Sequence, residues 1–186
     1  YQRLGDYRQA DAQFLKALRF FEHQGALSRV LALDLDRATL ALKAGRLEEA
    51  QQLANQVEAL LDSDDWPSLA ARLHLLSAQV ALATTPPKLT VADQRTQQAL
   101  EVARNHNLHE VMIEADHLMA QIFEQNDDLQ AASRKYYAAI ERIEELRTLL
   151  AVDVFQLGFM EDKLPIYDNA VRLCHNMATP ATNGKS

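Results

Sequence analysis

The chain has 186 residues, of which 48% are hydrophobic and 24% are charged, and it carries a formal net charge of −7. This apolar share supports a continuous core and excludes a disordered chain, while the interspersed, mostly acidic charges argue against a nucleic-acid interface. No apolar run approaches the roughly 20 residues that span a bilayer, so we expect no membrane segment.

Interruptions of the helical pattern recur about every twenty residues. The first three are Gly5, Gly25 and Gly45, and the later ones are polar or proline-containing turns. The intervening segments are rich in Ala, Leu, Gln, Glu and Arg, which favour helix. We therefore predict an all-α chain with about eight helices, at residues 6–23, 27–44, 46–62, 67–84, 90–105, 108–125, 129–150 and 160–177.

Every second helix carries an alanine at the same position, and the intervals between these alanines are 40, 42 and 40 residues. A repeat of this length is typical of a solenoid built from helix pairs. Small side chains let two helix backbones approach closely, so substitution of one by leucine should overpack the pair. The alanines are Ala10, Ala50, Ala92 and Ala132, and the residues seven positions later are Ala17, Val57, Ala99 and Ala139.

Two helices show how the pairs should pack. The second has little polar surface, so we expect neighbours to enclose it on several sides. The sixth is amphipathic, with an apolar face and an opposite stripe that contains Glu110, Glu114, His117, Gln121 and Glu124. We expect that stripe to face water or a ligand.

Residues 38–50 and 120–132 resemble tetratricopeptide repeats, and the pattern Gly5, Tyr7, Ala10, Phe14, Ala17 resembles the second helix of that family. The resemblance implies a right-handed α-solenoid of antiparallel helix pairs over residues 1–150, with a truncated first repeat and three fuller ones. The period is longer than the usual 34 residues. In that family the first helix of each pair lines a concave groove that binds peptides or proteins.

The resemblance places seven residues in such a groove. The last four would give it an acidic, hydrogen-bonding end, so we expect a partner segment that carries Lys, Arg or amide groups. The seven groove residues are Leu35, Thr39, His74, Glu114, His117, Gln121 and Glu124.

The C-terminal stretch resembles the end of a repeat array that precedes a caspase-like CHAT peptidase domain. The residues that carry this resemblance are 136–147 and 159–174. We predict a closing helix and linker at residues 151–177 and a flexible tail at 178–186. The chain begins with Tyr1 rather than Met, so we also expect it to be part of a longer protein.

No set of residues predicts a catalytic or metal site within the chain. Glu114 and His117 have the Glu-x-x-His spacing of di-iron bundles, but the second such pair that a di-iron site needs is missing. Cys174 and His175 are adjacent, and adjacent helical residues point in different directions, so we predict a packed structural cysteine. We expect no enzyme activity, no metal and no cofactor.

The leading hypothesis is a recognition or regulatory region of a bacterial signalling protein of the CHAT type, with a protein, a peptide or an adjacent domain as partner. Two alternatives remain open. The array could be the sensor segment of a bacterial transcription activator, or a structural spacer or oligomerisation surface. The single cysteine cannot form an internal disulfide, which favours a reducing, cytoplasmic compartment. The oligomeric state is left open.

Overall fold

The fold is built from helices joined by short turns. A computed structural model of the chain describes residues 2–149, 160 and 163–178. Within these residues there are eight helices and no strand, which confirms the all-α prediction. None of the described helices has both the length and the apolar character that crossing a membrane requires. The helices are α1 (Gln2–His23), α2 (Leu27–Lys43), α3 (Leu47–Leu60), α4 (Pro67–Ala83), α5 (Leu89–Asn105), α6 (His109–Gln125), α7 (Leu129–Leu149) and α8 (Leu164–Ala178).

Most observed helix ends lie within two residues of the predicted ones, but one predicted interruption is wrong. Helix α1 runs straight through Gly5. A glycine inside a helix costs only about 1 kcal/mol relative to alanine, so the surrounding helix formers carry the helix across it. The predicted linker at residues 151–159 and the tail at 179–186 lie outside the described residues.

Four helices end in the same way, with a residue in the left-handed conformation. Gly25 and Gly45 have φ angles of 66° and 75°, and Asn107 and Asp127 have φ angles of 55° and 60°. After Gly45, the N–H of Arg46 donates to the carbonyl of Ala41 at 2.8 Å. Equivalent bonds follow the other three positions. These bonds satisfy carbonyls left free at the helix end, and they turn the chain directly into the next helix.

The described residues divide into two compact units, with the boundary between Val111 and Met112 inside α6. In the first unit each helix from α1 to α5 packs against the next, and α2 also packs against α4. In the second unit the part of α6 from Met112 onward, α7 and α8 share one core. Neighbouring helices are therefore paired within each unit, as in a solenoid-like fold.

The core of the first unit lies between α2, α3 and α4. Helix α2 contributes four residues that are at most 1% exposed, and it packs against α1, α3 and α4. The prediction that α2 is enclosed on several sides is therefore confirmed. The buried residues of α2 are Leu31, Leu35, Ala38 and Ala41.

The repeated alanine is buried where the structure surrounds it with other helices. Ala50, Ala92 and Ala132 are each 0% exposed. In the first helix Ala10 is half-buried, because α1 packs mainly against α2 alone. The prediction of a close-approach position is thus confirmed for the three later repeats.

The core of the second unit depends on the closing helix as well as on the last helix pair. Helix α8 is amphipathic, with buried residues Ile166, Ala170 and Leu173 at spacings of four and three. These side chains join a cluster with residues of α6 and α7, among which Ala132 and Tyr136 are at most 1% exposed. Helix α8 therefore contributes to this core together with α6 and α7.

Substitution of the repeated alanine tests the close approach. We expect Ala50→Leu to lower the free energy of unfolding by about 1–3 kcal/mol, because the added methyl groups have no space between the helices. The measurement is urea denaturation followed by circular dichroism. Ala59→Leu, at an exposed position of the same helix, is the matched control and should change stability by less than about 0.5 kcal/mol.

The left-handed helix ends give a second prediction. No atom lies within 4 Å of a Cβ added at Gly45, yet its φ of 75° disfavours any side chain. We expect Gly45→Ala to destabilise the protein by about 1–2 kcal/mol and Asp127→Gly to stabilise it by about 0.5–1 kcal/mol. Equal denaturation midpoints for Gly45→Ala and the wild type would show that backbone strain is not what selects glycine there.

Candidate functional site

The first helices of the three pairs, α2, α4 and α6, can be compared position by position. The fully buried alanines Ala38, Ala78 and Ala120 fix this repeat register. Their intervals are 40 and 42 residues, like those of the alanines in the second helices. Four sets of equivalent residues, each given in the order α2, α4 and α6, are Asp34, His74 and Asp116; Leu35, Leu75 and His117; Thr39, Gln79 and Gln121; and Leu42, Leu82 and Glu124.

Leu35 does not belong to a binding surface, so this part of the predicted groove is wrong. Its side chain is 1% exposed and lies in the core of the first unit. The equivalent Leu75 is 3% exposed. The physical reason is that this position points into the packing between helices, where leucine gains more from burial than from contact with a partner.

Thr39 and His74 are half-buried and already make contacts within the first unit. The Thr39 hydroxyl donates to the carbonyl of Leu35 at 2.8 Å. His74 Nδ1 lies 3.3 Å from Arg95 Nη1, which also pairs with Glu58 at 2.7 Å. Burial, and then the charge of Arg95, lower the pKa of His74. The imidazole is therefore held in its neutral form, in which Nδ1 accepts the hydrogen bond from the guanidinium.

Asp116 forms the most buried ionic contact among the described residues, and the sequence analysis missed it. Its side chain is 3% exposed and accepts hydrogen bonds from Lys135 at 2.8 Å and from Arg142 at 3.2 Å. Both cations belong to α7 and stand seven residues apart, on one face of that helix. In the repeat register Asp116 is equivalent to His74, and Lys135 is equivalent to Arg95. The same two positions are therefore in contact in both helix pairs, and the repeat is the sequence signal for this contact.

His117 lies at the contact between α6 and α8. Its Nε2 is 3.1 Å from the amide nitrogen of Gln121 and 3.1 Å from that of Asn169. Amide nitrogens only donate, so Nε2 accepts and the ring proton resides on Nδ1. Burial lowers the pKa of His117 to about 4; the nearby Lys163 adds to the effect, and Glu124 opposes it. His117 is therefore neutral at physiological pH.

Glu124 connects the three helices that the structure describes in the second unit. Its carboxylate accepts a hydrogen bond from the Tyr136 hydroxyl of α7. Arg172 of α8 reaches both carboxylate oxygens, with Nη2 at 3.0 and 2.8 Å. Burial, and then the hydrogen bond to Glu124, raise the pKa of Tyr136, so its hydroxyl stays protonated and acts as the donor.

The predicted groove residues of α6 are thus brought together, and they face the chain's own α8. Glu114 lies 3.9 Å from Lys163, which precedes α8 and is 7% exposed. His117 and Glu124 contact Asn169 and Arg172, and Gln121 reaches the same site through His117. The lysine, arginine and amide expected of a partner are therefore supplied by the chain itself.

The other sequence motifs carry no additional chemistry in the described residues. No group of three or more acidic, histidine or cysteine side chains there is placed to hold a metal ion. Cys174 is exposed, which corrects the prediction of a packed cysteine. Its Sγ lies 3.8 Å from the hydroxyl of Tyr137, an exposed residue of α7.

Comparison of the chain with protein-family models, with curated proteins and with solved structures finds no match.

Titration of His117 gives a prediction for the pH dependence of stability. Its pKa is about 4 in the folded chain and near 6.5 when unfolded, so the unfolded state takes up the proton first as the pH falls. The contribution to stability is complete above pH 6.5 and is lost as the pH falls toward 4. We expect the wild type to lose about 2 kcal/mol more than His117→Leu between pH 7 and pH 5.

The measurement is urea denaturation at the two pH values. His117→Leu introduces the residue found at this position in the other two repeats. His109→Leu is the matched control, because it replaces an exposed histidine of the same helix by leucine. Parallel pH profiles for the wild type and His117→Leu would contradict the assignment of a buried neutral imidazole.

Proposed function

We propose that this chain is a protein-interaction scaffold that binds a helical peptide or protein segment through the first helices of its repeats. One observation carries the proposal. In the second unit, α6 binds α8 by pairing Glu114, His117 and Glu124 with a lysine, an asparagine and an arginine, around an apolar contact. Helix recognition of this kind is a common mode of peptide binding.

The charge distribution supports a basic partner. The chain has 26 acidic and 19 basic residues. Two acids on first helices are partly exposed although each is paired within the chain: the side chain of Glu114, beside Lys163, is 45% exposed, and that of Asp36, beside Arg72, is 42% exposed. Exposed carboxylates steer cationic segments toward a surface and add to specificity more than to affinity. A partner rich in Lys, Arg, Asn or Gln fits these groups.

The wider setting of the scaffold is proposed from the resemblance of residues 136–147 and 159–174 to the end of a CHAT-associated array. In that setting the repeats would be the regulatory region of a bacterial peptidase, and the catalytic groups would belong to another domain. The single cysteine accords with a reducing, cytoplasmic compartment. Partner binding would then act on the peptidase through the contacts of the repeats with that domain.

Selection of helical peptides on the immobilised full chain tests the scaffold function. We expect the selected peptides to be enriched in Lys, Arg and Asn, and their binding to weaken several-fold between 0.1 and 0.5 M salt because exposed charges are screened. Glu114→Lys should weaken binding of α6-directed peptides about tenfold, measured by fluorescence anisotropy.

Glu141→Lys is the matched control, since it reverses an exposed acid of α7 that makes no contact described for the α6 stripe. It should leave the affinity within about twofold. Two outcomes would reject the proposed recognition chemistry. Either no peptide is enriched, or the enriched peptides bind with an affinity that changes neither with salt concentration nor with Glu114→Lys.

A further inference from the structure

The surface of α6 that contacts α8 carries different residues from the equivalent surfaces of α2 and α4. At two positions α2 and α4 carry leucines, namely Leu35 and Leu75, and Leu42 and Leu82. Helix α6 carries His117 and Glu124 instead, and these two side chains pair with Asn169 and Arg172 of α8. Partial burial of His117 and Glu124 costs desolvation that leucines avoid, although half of the Arg172 side chain stays exposed. Polar groups at such a contact discriminate among partners. The α6 surface is therefore chemically selective for the helix that covers it.

The α6–α7 pair has ties of its own that do not involve α8. Asp116 pairs with Lys135 and Arg142, and Ala120, Ala132 and Ala139 pack at 0% exposure. The two ion pairs lie entirely within α6 and α7, whereas the three alanines belong to the core cluster that α8 also joins. Departure of α8 would leave α6 and α7 joined by the ion pairs of Asp116 with Lys135 and Arg142.

The groups that face α8 also keep partners or solvent when α8 is removed. Glu124 retains the hydroxyl of Tyr136, and His117 retains the amide of Gln121. Glu114 is already 45% exposed on its side chain. Exchange of α8 for another helix therefore leaves none of these three groups buried without a partner. An unpaired buried charge is the usual penalty for breaking a buried ion pair.

We propose that α8 is an internal ligand of the α6–α7 face, and that an external amphipathic helix with the same side-chain pattern displaces it. The pattern is a buried residue at each of the positions of Ile166, Ala170 and Leu173, with an amide and a cation at the positions of Asn169 and Arg172. The inference rests on the proposed scaffold function, names its partner class and makes α8 the competitor that limits access.

The test uses the full chain and a fluorescent peptide of residues 163–178. We expect the Arg172→Ala chain to bind this peptide at least tenfold more tightly than the wild-type chain, because its own α8 competes less well. The Asp168→Ala chain, altered at an exposed acid of α8, should match the wild type. A peptide that itself carries Arg172→Ala should bind the Arg172→Ala chain at least tenfold more weakly.

Hydrogen exchange of the wild-type chain provides a second measurement that needs no variant. Amides of α8 should exchange together and at least tenfold faster than those of α6 and α7. Equal protection of the three helices, or no difference in peptide affinity between the Arg172→Ala and wild-type chains, would overturn the inference. These results concern the chain's own helix, so they are distinct from a failure to select external peptides.

Discussion

The structure depends on close approach between helices at alanine. The individual helices have 14 to 22 residues, and most of the stability of such helices in a protein comes from tertiary packing of their apolar faces. Ala38, Ala50, Ala78 and Ala92 are each 0% exposed, and they bring the backbones of the first unit near enough for the leucines around them to interdigitate. Larger side chains at these positions would separate the helices, and the leucines would lose the contacts that stabilise both.

Close packing also explains why two histidines of the same helix differ in burial and in hydrogen bonding. A polar side chain in the repeat register of a leucine must find its partners inside the protein, because the neighbouring helix excludes water. His117 occupies such a position, so burial lowers its pKa to about 4 and both nearby amides donate to it. His109, one turn outside the packed region, is exposed and meets no such constraint. The chemistry of the site thus follows from its place in the repeat rather than from the residue type.

The helices could be predicted closely from the sequence, because left-handed glycine, asparagine and aspartate residues at helix ends are strong local signals. The prediction of an interruption at Gly5 is wrong because glycine alone does not end a helix. The site was harder to predict. The family resemblance predicts Leu35 in the groove, whereas its side chain is 1% exposed and lies in the core. The partners of His117 and Glu124 lie 48 or more residues away in α8, and no local pattern reveals contacts of that range.

Equivalent positions of the repeats show which polar contacts stabilise a helix pair and which distinguish the surface that α8 covers. Asp34, His74 and Asp116 occupy equivalent positions, which we call the first column; Leu35, Leu75 and His117 form the second column. Each residue of the first column contacts a cationic side chain, and these are Arg37, Arg95 and Lys135. In the second and third repeats that cation comes from the second helix of the same pair, so the column stabilises the pair itself. The column of Leu35, Leu75 and His117 changes from apolar to polar only in α6, which α8 covers. Polar contacts within a pair are thus maintained along the chain, while polarity in the second column appears where one particular helix has to be recognised.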